Sequence, residues 1–287
     1  MKNKNLSSAL TILIAVALGA GIAWAGGQRS PQVGGLPLVL LCAALAFCMQ
    51  WLAFIPAFIL QTEKFYDLVG CATYLCVLLL AAWHSPALQT ADGLLLVMCA
   101  VWALRLGLFL FWRIHKDGSD KRFNDIKPSF MRFLMAWTLQ GLWVFLTLSA
   151  VLIVVTTPGD HAISAFTVAG GLLWFVGFAV EAVADAQKRA FKADLANKGR
   201  FIQGGLWRWS RHPNYVGEIT LWVGIFICAV PQLVGWQWVA LISPLFIILL
   251  LTKISGVPML EASADKQWGA DADYQAYKKR TPVLWPV

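Results

Sequence analysis

The chain has 287 residues, of which 59% are hydrophobic and only 13% are charged, and its mean hydropathy is +0.66. A soluble domain carries about 25% charged residues, so this composition excludes a soluble globular protein and indicates an integral membrane protein. The net charge of +8 is typical of a membrane protein with basic cytoplasmic loops. It does not predict a nucleic-acid partner, since the sequence contains no soluble basic domain.

Apolar stretches follow one another along the chain, and most approach the ~20 residues that a transmembrane helix needs. They cover residues 7–25, 36–60, 67–84, 93–112, 132–157, 164–187, 216–231 and 234–252. The first stretch has features of a signal peptide, with lysines before it and the sequence AWA at 23–25, but its apolar run is long for one. We therefore expect a retained first helix and eight spans, or seven if the first is cleaved.

The loop charges agree with eight spans. Lysine and arginine concentrate in 113–132, in 188–211 and in the C-terminal tail, whereas 85–92, 158–163 and 231–233 contain neither. The positive-inside rule places the basic loops and both termini in the cytoplasm. Backbone groups in lipid must be paired internally, and no barrel-like alternation is present. The sequence therefore predicts an all-α, polytopic transmembrane helix bundle of seven to eight helices in a single domain, residues 1–287.

The cysteines and histidines offer no metal chemistry. Six cysteines occur in apolar runs without a CxxC pair: Cys42, Cys48, Cys71, Cys76, Cys99 and Cys228. We interpret them as small buried hydrophobic residues rather than disulfides or metal ligands. The four histidines show no metal-ligand spacing, so no metal site is predicted.

An acidic face precedes and enters the third span. Glu63, Asp67, Gly70 and Tyr74 are spaced by four, three and four residues, which would place them on one side of a helix. Tyr66 adjoins that side. A carboxylic acid and a phenol at a membrane edge suit hydrogen-bond donation to a carbonyl group. The same carboxylates also favour a helix start, so a purely structural role at the N-terminus is the alternative.

A cationic group lies within the fourth span. Arg105 follows Trp102 by one turn and is too deep in 93–112 to reach the interface, so it requires an anionic partner. Arg113 and Lys116 mark the cytoplasmic exit. These two residues either face a bound ligand or extend to the head groups as ordinary interfacial cations.

A charged stripe leaves the sixth span. Its members fall at i, i+4, i+7, i+8 and i+11 and are Glu181, Asp185, Lys188, Arg189 and Lys192. The stripe is acidic inside the membrane and basic outside it. Ion pairs of Arg189 with Glu181 or Asp185 are the structural interpretation. The functional one is a polar ligand whose hydroxyl or amide groups meet the acids and whose phosphates meet the cations.

The segment QGGLWRWSRHPNYVGEI, residues 203–219, places hydrogen-bonding groups at a membrane edge. Its glycines permit close backbone approach to a ligand, and its arginines are planar donors for phosphate. Asn214 is expected to cap the next helix, with Glu218 one turn inside. A connector at the lipid head groups would explain the Arg and Trp residues, but not Asn214 and Glu218. No Rossmann or P-loop motif is present, so a bound nucleotide would lie among the helices.

Five segments together resemble the bacterial membrane branch of the steroid 5-alpha-reductase family, over about residues 50–287. They are TEKFYDLVG (62–70), WALRLGLFLFWRI (102–114), GGLWRWSRHPNYVGE (204–218), KISGVPMLEA (253–262) and YQAYKKRTPVLWP (274–286). The combination is specific, but its RHPxY core also occurs in isoprenylcysteine carboxyl methyltransferases and related phospholipid methyltransferases.

The resemblance implies a helix bundle that holds NADPH in a cavity within the membrane. It implies a steroid or similar lipid substrate entering from the bilayer, and a bacterial inner-membrane location with the cofactor side cytoplasmic. The residues expected to contact NADPH are Arg105, Arg113, Lys116, Glu181, Asp185, Arg189, Lys192, Arg200, Trp209, Arg211, His212, Asn214, Tyr215, Glu218 and Lys253. Asn214 and Glu218 would line the nicotinamide half, and Asp185 with Glu181 the ribose or adenosine region. The cations would meet the phosphates.

Glu63 matches the family glutamate that polarises the substrate carbonyl. The tyrosine that assists it in the family's steroid reductases is replaced here by Trp102, so Tyr66 or Tyr74 is expected to take its place. Other departures affect the cofactor contacts: Glu181 replaces an asparagine, Lys253 replaces an arginine, and Val257 and Glu261 occupy the region of a histidine and a tyrosine.

The leading functional hypothesis is NADPH-dependent reduction of the C=C bond of an enone lipid, such as a 3-oxo-4-ene steroid. Glu63 would keep its proton through a raised pKa and stabilise the developing enolate. The second hypothesis is an S-adenosylmethionine-dependent methyltransferase in which His212, Asn214 and Glu218 hold the methionine part. In that case the many cations would lack phosphates to bind. A transporter or sterol-binding protein is the third, but the expected repeats and broken helices are absent from the sequence.

Overall fold

The structure is a computed structural model that describes residues 2–118 and 120–285. Its helices are α1 (Lys2–Gly26), α2 (Leu38–Ile59), α3 (Tyr66–His84), α4 (Thr90–Asp117), α5 (Phe130–Thr156), α6 (Ala165–Ala193), α7 (Pro213–Ala229), α8 (Ile242–Leu249), α9 (Val257–Trp268) and α10 (Ala272–Arg280). In the described residues, eight helical stretches are long and apolar enough to cross a membrane. The predicted all-α polytopic architecture is confirmed.

Two features differ from the predicted elements. The last span extends over Gly235–Trp268, because α8 continues through the π-helix Leu250–Ile254 and on toward α9. A small hairpin pairs β1 (Gln32–Val33) with β2 (Leu36–Pro37), and its turn contains two glycines with positive φ. The sequence predicted helices alone, because backbone groups in lipid must be paired internally. The hairpin was not predicted, because this connection lies between two spans, where strand pairing is permitted.

The chain divides into two compact units. The first comprises Met1–Ser164 and Ala229–Ser243, and the second comprises Ala165–Cys228 and Pro244–Val287.

In the first unit α5 is central. Helices α1, α2 and α3 pack directly against it, and 89% of its most apolar stretch is buried. Near its start, Phe133 and Trp137 form an aromatic cluster with Phe54 and Phe123. Further along, Gln237 donates to the hydroxyl of Thr157 at 2.6 Å, which fixes the 3₁₀ segment 235–241 to the end of α5. The helices of this unit therefore pack around one buried axis.

In the second unit, α6 and α7 cross antiparallel through facing glycines. A Cβ atom on Gly217 would lie 2.5 Å from the Glu181 nitrogen and 2.6 Å from the Gly177 oxygen. A Cβ atom on Gly224 would lie 2.6 Å from the Gly170 oxygen. Small residues permit this close packing, which replaces the hydrophobic effect as the source of helix association in lipid.

Hydrogen bonds join the C-terminal segment to the connection between α6 and α7. Tyr277 of α10 donates to the Trp207 carbonyl at 2.6 Å, and the Arg211 nitrogen donates to the Pro282 carbonyl at 2.9 Å. Asp271 caps α10 by accepting from two backbone N–H groups of its first turn. These bonds hold the segment 199–213, which contains the RHPNY sequence, in a fixed conformation.

Candidate functional site

Glu63 lies in the connection before α3, not on the face of that helix. Its side chain is only 3% exposed. Oε1 accepts from the Asp120 nitrogen at 2.8 Å, and Oε2 accepts from Lys127 Nζ at 2.5 Å. The predicted common face therefore excludes Glu63, because the helix begins only at Tyr66. Glu63 instead accepts hydrogen bonds that join the 120–127 segment to the connection just before α3.

The prediction that Glu63 keeps its proton at neutral pH is wrong. Burial by itself raises the pKa of Glu63, but the hydrogen bonds from Lys127 and from the Asp120 backbone outweigh burial, so that the pKa lies below its ordinary value. Glu63 is thus a carboxylate at neutral pH. It accepts hydrogen bonds and has no proton to donate to a carbonyl.

The lowered pKa predicts how stability depends on pH. The stabilisation from Glu63 should be complete above the unfolded glutamate pKa of about 4.3 and lost as pH falls through the lower pKa of the folded state. We expect Glu63→Gln to lower the melting temperature in detergent at pH 7 and to have a progressively smaller effect toward pH 3. A difference that stays constant or grows on acidification would contradict this assignment.

The two tyrosines proposed beside Glu63 have different surroundings. Tyr66 donates to the Ala136 carbonyl of α5 at 2.9 Å, and its ring packs edge-on against Trp137. Tyr74 is buried two turns further along α3, where its ring contacts Trp102 edge-on at 5.4 Å. The hydroxyl of Tyr66 thus has a structural partner, and the ring of Tyr74 adjoins the tryptophan in the family tyrosine position.

The structure describes the cationic residues of α4 only in part. Arg105 is half-buried within the helix and engages in an interaction there. The backbone of Arg113 and Lys116 belongs to α4, but their side chains lie outside the described part of the structure. Their role in ligand contact stays a prediction.

Buried polar groups of α6 and α7 lie near the glycine crossing. Gly217 faces the backbone of Glu181, and the antiparallel register carries Asp185, one turn further along α6, toward Asn214 at the start of α7. Glu181, Asp185 and Glu218 are only 2%, 9% and 8% exposed. The Oδ1 atom of Asn214 is buried and has no hydrogen-bond partner within the described residues. We call Glu181, Asp185, Asn214 and Glu218 the acceptor cluster.

Asn214 is not the cap of α7 as expected. The helix begins at Pro213, and the His212 carbonyl accepts from the nitrogens of Tyr215 and Val216 at 3.0 and 3.1 Å. Proline favours the first helical position because its fixed φ suits the helix and its missing N–H is not needed there. Asn214 therefore lies inside the first turn, and its side chain is not used for capping.

Arg211 and His212 contact a carboxylate from α9. Glu261 places Oε2 at 2.8 Å from Arg211 Nη1 and Oε1 at 2.8 Å from His212 Nε2. The His212 ring also stacks on Tyr215, with centroids 5.6 Å apart. The sequence singled out Glu261 only as a departure from the family pattern, and no local signal linked it to the RHPNY segment. Part of the charge of Arg211 is thus neutralised within the protein.

The remaining cations lie at the surface. Arg189, Lys192, Arg200 and Lys253 are exposed, so the stripe on α6 does pass from buried acids to exposed bases. Arg200 lines an open cleft of about 910 Å³ beyond the end of α6, together with both glycines of the QGG sequence and three carboxylates, Asp194, Asp271 and Asp273. Trp209 is 62% exposed. The volume suits a small-molecule ligand.

The cysteines and histidines of the described residues form no group that could hold a metal ion. All six cysteines are free thiols. Four are buried as expected, but Cys48 is exposed and Cys76 is half-buried.

Comparisons with known proteins give a family and two distant relatives. The family model described as "Protein of unknown function (DUF1295)" matches residues 53–281. A probable O-methyltransferase, ustE, of Ustilaginoidea virens is 30% identical over 102 residues, which cover 30% of this chain and 36% of that protein. An uncharacterized protein of Schizosaccharomyces pombe is 28% identical over 128 residues, 36% of this chain and 37% of that protein.

The chain thus spans little more than a third of the curated relatives it matches. No solved structure matches it. The family model covers most of the sequence, including the third to the eighth spans and the RHPNY segment. The chain therefore belongs to the DUF1295 family.

Proposed function

We propose that this protein is a membrane-embedded oxidoreductase that uses NADPH to reduce the C=C bond of an enone lipid. The observation that carries the proposal is the acceptor cluster of the second unit, three buried carboxylates and a buried amide oxygen, followed along α6 by exposed cations. Carboxylates accept hydrogen bonds from hydroxyl and amide groups, and guanidinium and ammonium groups bind phosphates. A dinucleotide offers both kinds of group.

The described residues fit such a cofactor. Asn214, with its unpartnered Oδ1 atom, and Glu218 would accept from the carboxamide, and Asp185 with Glu181 would accept from ribose hydroxyls. Arg189 and Lys192 would meet the phosphates. When bound, NADPH supplies the hydride that the reaction consumes, and the protein supplies alignment and electrostatic stabilisation. The resemblance to steroid 5-alpha-reductases supports the same assignment.

We assign the role of the acid that donates to the substrate carbonyl to Tyr74 rather than to Glu63. Glu63 is ionised and paired with Lys127, so it cannot donate to the substrate carbonyl. A phenol keeps its proton at neutral pH and donates a hydrogen bond. We propose that Tyr74 donates to the carbonyl oxygen and stabilises the enolate, while Glu63 positions Lys127. The substrate class is a flat enone lipid, such as a 3-oxo-4-ene steroid, that enters from the bilayer.

A second candidate is a methyltransferase that uses S-adenosylmethionine. It is favoured by the relative from Ustilaginoidea virens, which is named a probable O-methyltransferase. The acceptor cluster would also suit this cofactor, because carboxylates bind ribose hydroxyls and stabilise a sulfonium charge. S-adenosylmethionine has no phosphates, however, so this candidate gives the exposed cations Lys192 and Arg200 no role in cofactor binding. We therefore rank this candidate second.

A turnover assay tests the proposal. Purified protein in detergent receives NADPH with progesterone or testosterone, and oxidation is followed by loss of absorbance at the nicotinamide band. We expect enone-dependent oxidation that Asn214→Ala slows through weaker cofactor binding. Methyl transfer from S-adenosylmethionine to a lipid acceptor, without any enone-dependent oxidation, would overturn the reductase in favour of the second candidate.

A further inference from the structure

A small cavity lies among α3, α4 and α5 of the first unit. Its volume is about 30 Å³, and its lining includes Asp67, Tyr74, Trp102 and Gln140. A cavity needs roughly 10–15 Å³ to hold one water molecule, so this one has room for about two. It is too small for a lipid or a nucleotide. Three of these lining residues carry polar side chains that can hydrogen-bond to water.

Gln140 supplies the strongest indication that the cavity is hydrated. Its Nε2 donates to the Tyr66 carbonyl at 3.2 Å, which fixes the amide plane. Its Oε1 is buried and has no hydrogen-bond partner among the described residues, although the side chain is only 5% exposed. A buried amide oxygen is costly unless it accepts a hydrogen bond. Water in the adjoining cavity would satisfy it.

The lining also connects two groups that exchange protons. Asp67 is half-buried in the first turn of α3, and Tyr74 is buried two turns later. Seven residues separate them, a rise of about 10 Å, which is too far for direct transfer. Two waters would provide three hydrogen bonds of about 2.8 Å each, a span of roughly 8 Å. Two waters, the number for which the cavity has room, would therefore cover most of this separation.

We propose that this cavity binds two ordered waters, positioned by Gln140, that carry protons from Asp67 to Tyr74. The inference rests on the proposed reduction and names its proton source. The Tyr74 O–H bond breaks as its proton passes to the enolate, and the resulting tyrosinate takes a proton from the neighbouring water. That water is reprotonated through the chain from Asp67, which recovers its own proton from solvent. No further reactant is consumed.

Hydration is tested on the purified protein without any ligand, by hydroxyl-radical labelling. Trp102 and Trp137 form a matched pair, since both are fully buried but only Trp102 lines the cavity. We expect Trp102 to be oxidised several-fold faster than Trp137, because X-ray radiolysis of bound water produces radicals beside it. Equal, slow oxidation of the two side chains would overturn the proposal.

Two variants remove the water by different means. Gly70→Ala places a Cβ atom 2.4 Å from Gln140 Nε2 and so displaces the amide, whereas the control Gly93→Ala meets no atom within 4 Å. Gln140→Leu removes the amide and leaves the glycine at position 70 unchanged. Both Gly70→Ala and Gln140→Leu should slow labelling of Trp102, and Gly93→Ala should not. Labelling of Trp102 at the wild-type rate in Gln140→Leu would contradict the role of Gln140.

The relay itself is tested by the solvent isotope effect on turnover. Asp67→Asn should lower the rate at least tenfold and enlarge the isotope effect, with the KM for NADPH unchanged. A wild-type rate and isotope effect in Asp67→Asn would exclude the relay while leaving the reductase intact. Absence of any NADPH-dependent turnover in the wild type would overturn the reductase and the relay together, and labelling would still decide hydration.

Discussion

Gly217→Ala is expected to lower the free energy of unfolding by about 2 kcal/mol. The new methyl group would lie 2.5 Å from the Glu181 nitrogen and 2.6 Å from the Gly177 oxygen, and these backbone atoms of α6 move only if the helices separate. Overpacking of this kind costs up to about 3 kcal/mol, and the better helix propensity of alanine returns about 1 kcal/mol. Thermal unfolding in detergent measures the difference.

Separation of α6 from α7 should also disturb ligand binding. The acceptor cluster depends on this crossing, so Gly217→Ala should weaken NADPH binding beyond the effect on stability. Gly21→Ala in α1 is the matched control, since its Cβ meets no atom within 4 Å; it should be neutral or slightly stabilising. A Gly217→Ala protein as stable as the wild type would show that the helices do not cross as closely as described.

Tyr74→Phe is expected to reduce turnover by roughly 10² or more while leaving NADPH affinity unchanged. Positioned proton donors contribute about 10²–10⁴ in rate, and the change removes only the hydroxyl from a buried ring that still packs against Trp102. The measurement is kcat and KM for enone reduction, alongside NADPH binding by calorimetry.

Tyr66→Phe separates this effect from a general loss of structure. Its hydroxyl donates to the Ala136 carbonyl, so the variant should lose about 1 kcal/mol of stability with turnover within a few-fold of wild type. The reverse pattern, with Tyr66→Phe inactive and Tyr74→Phe active, would transfer the acid role to Tyr66.

The architecture was predictable because membrane chemistry leaves few choices. Apolar runs of sufficient length must be helical, and eight such stretches are present in the described residues. The stripe on α6 was predictable for the same reason, since the helix runs unbroken over Ala165–Ala193 and its period fixes which side chains align. Glu181 and Asp185 are buried, and Arg189 and Lys192 nearer the end of the helix are exposed.

The pairings within the candidate site were not predictable from sequence. Lys127 lies 64 residues from Glu63, and Glu261 lies 49 residues from His212, so both contacts depend on how distant segments pack. The common face assumed for Glu63 failed because helix periodicity does not extend past the first helical residue, Tyr66. The cap expected of Asn214 failed because Pro213 already begins the helix.

Cofactor selection tests the central claim most directly. Binding of NADPH, NADH and S-adenosylmethionine to the purified protein is measured by calorimetry and thermal shift, with the double variant Arg189→Ala, Lys192→Ala as the comparison. Saturation at 100 times Kd should stabilise the wild type by about 2.7 kcal/mol. We predict that NADPH binds at least about tenfold more tightly than NADH, a difference of about 1.4 kcal/mol, and that the double variant weakens NADPH binding. Stabilisation by S-adenosylmethionine, with no response to either nicotinamide nucleotide, would contradict the account.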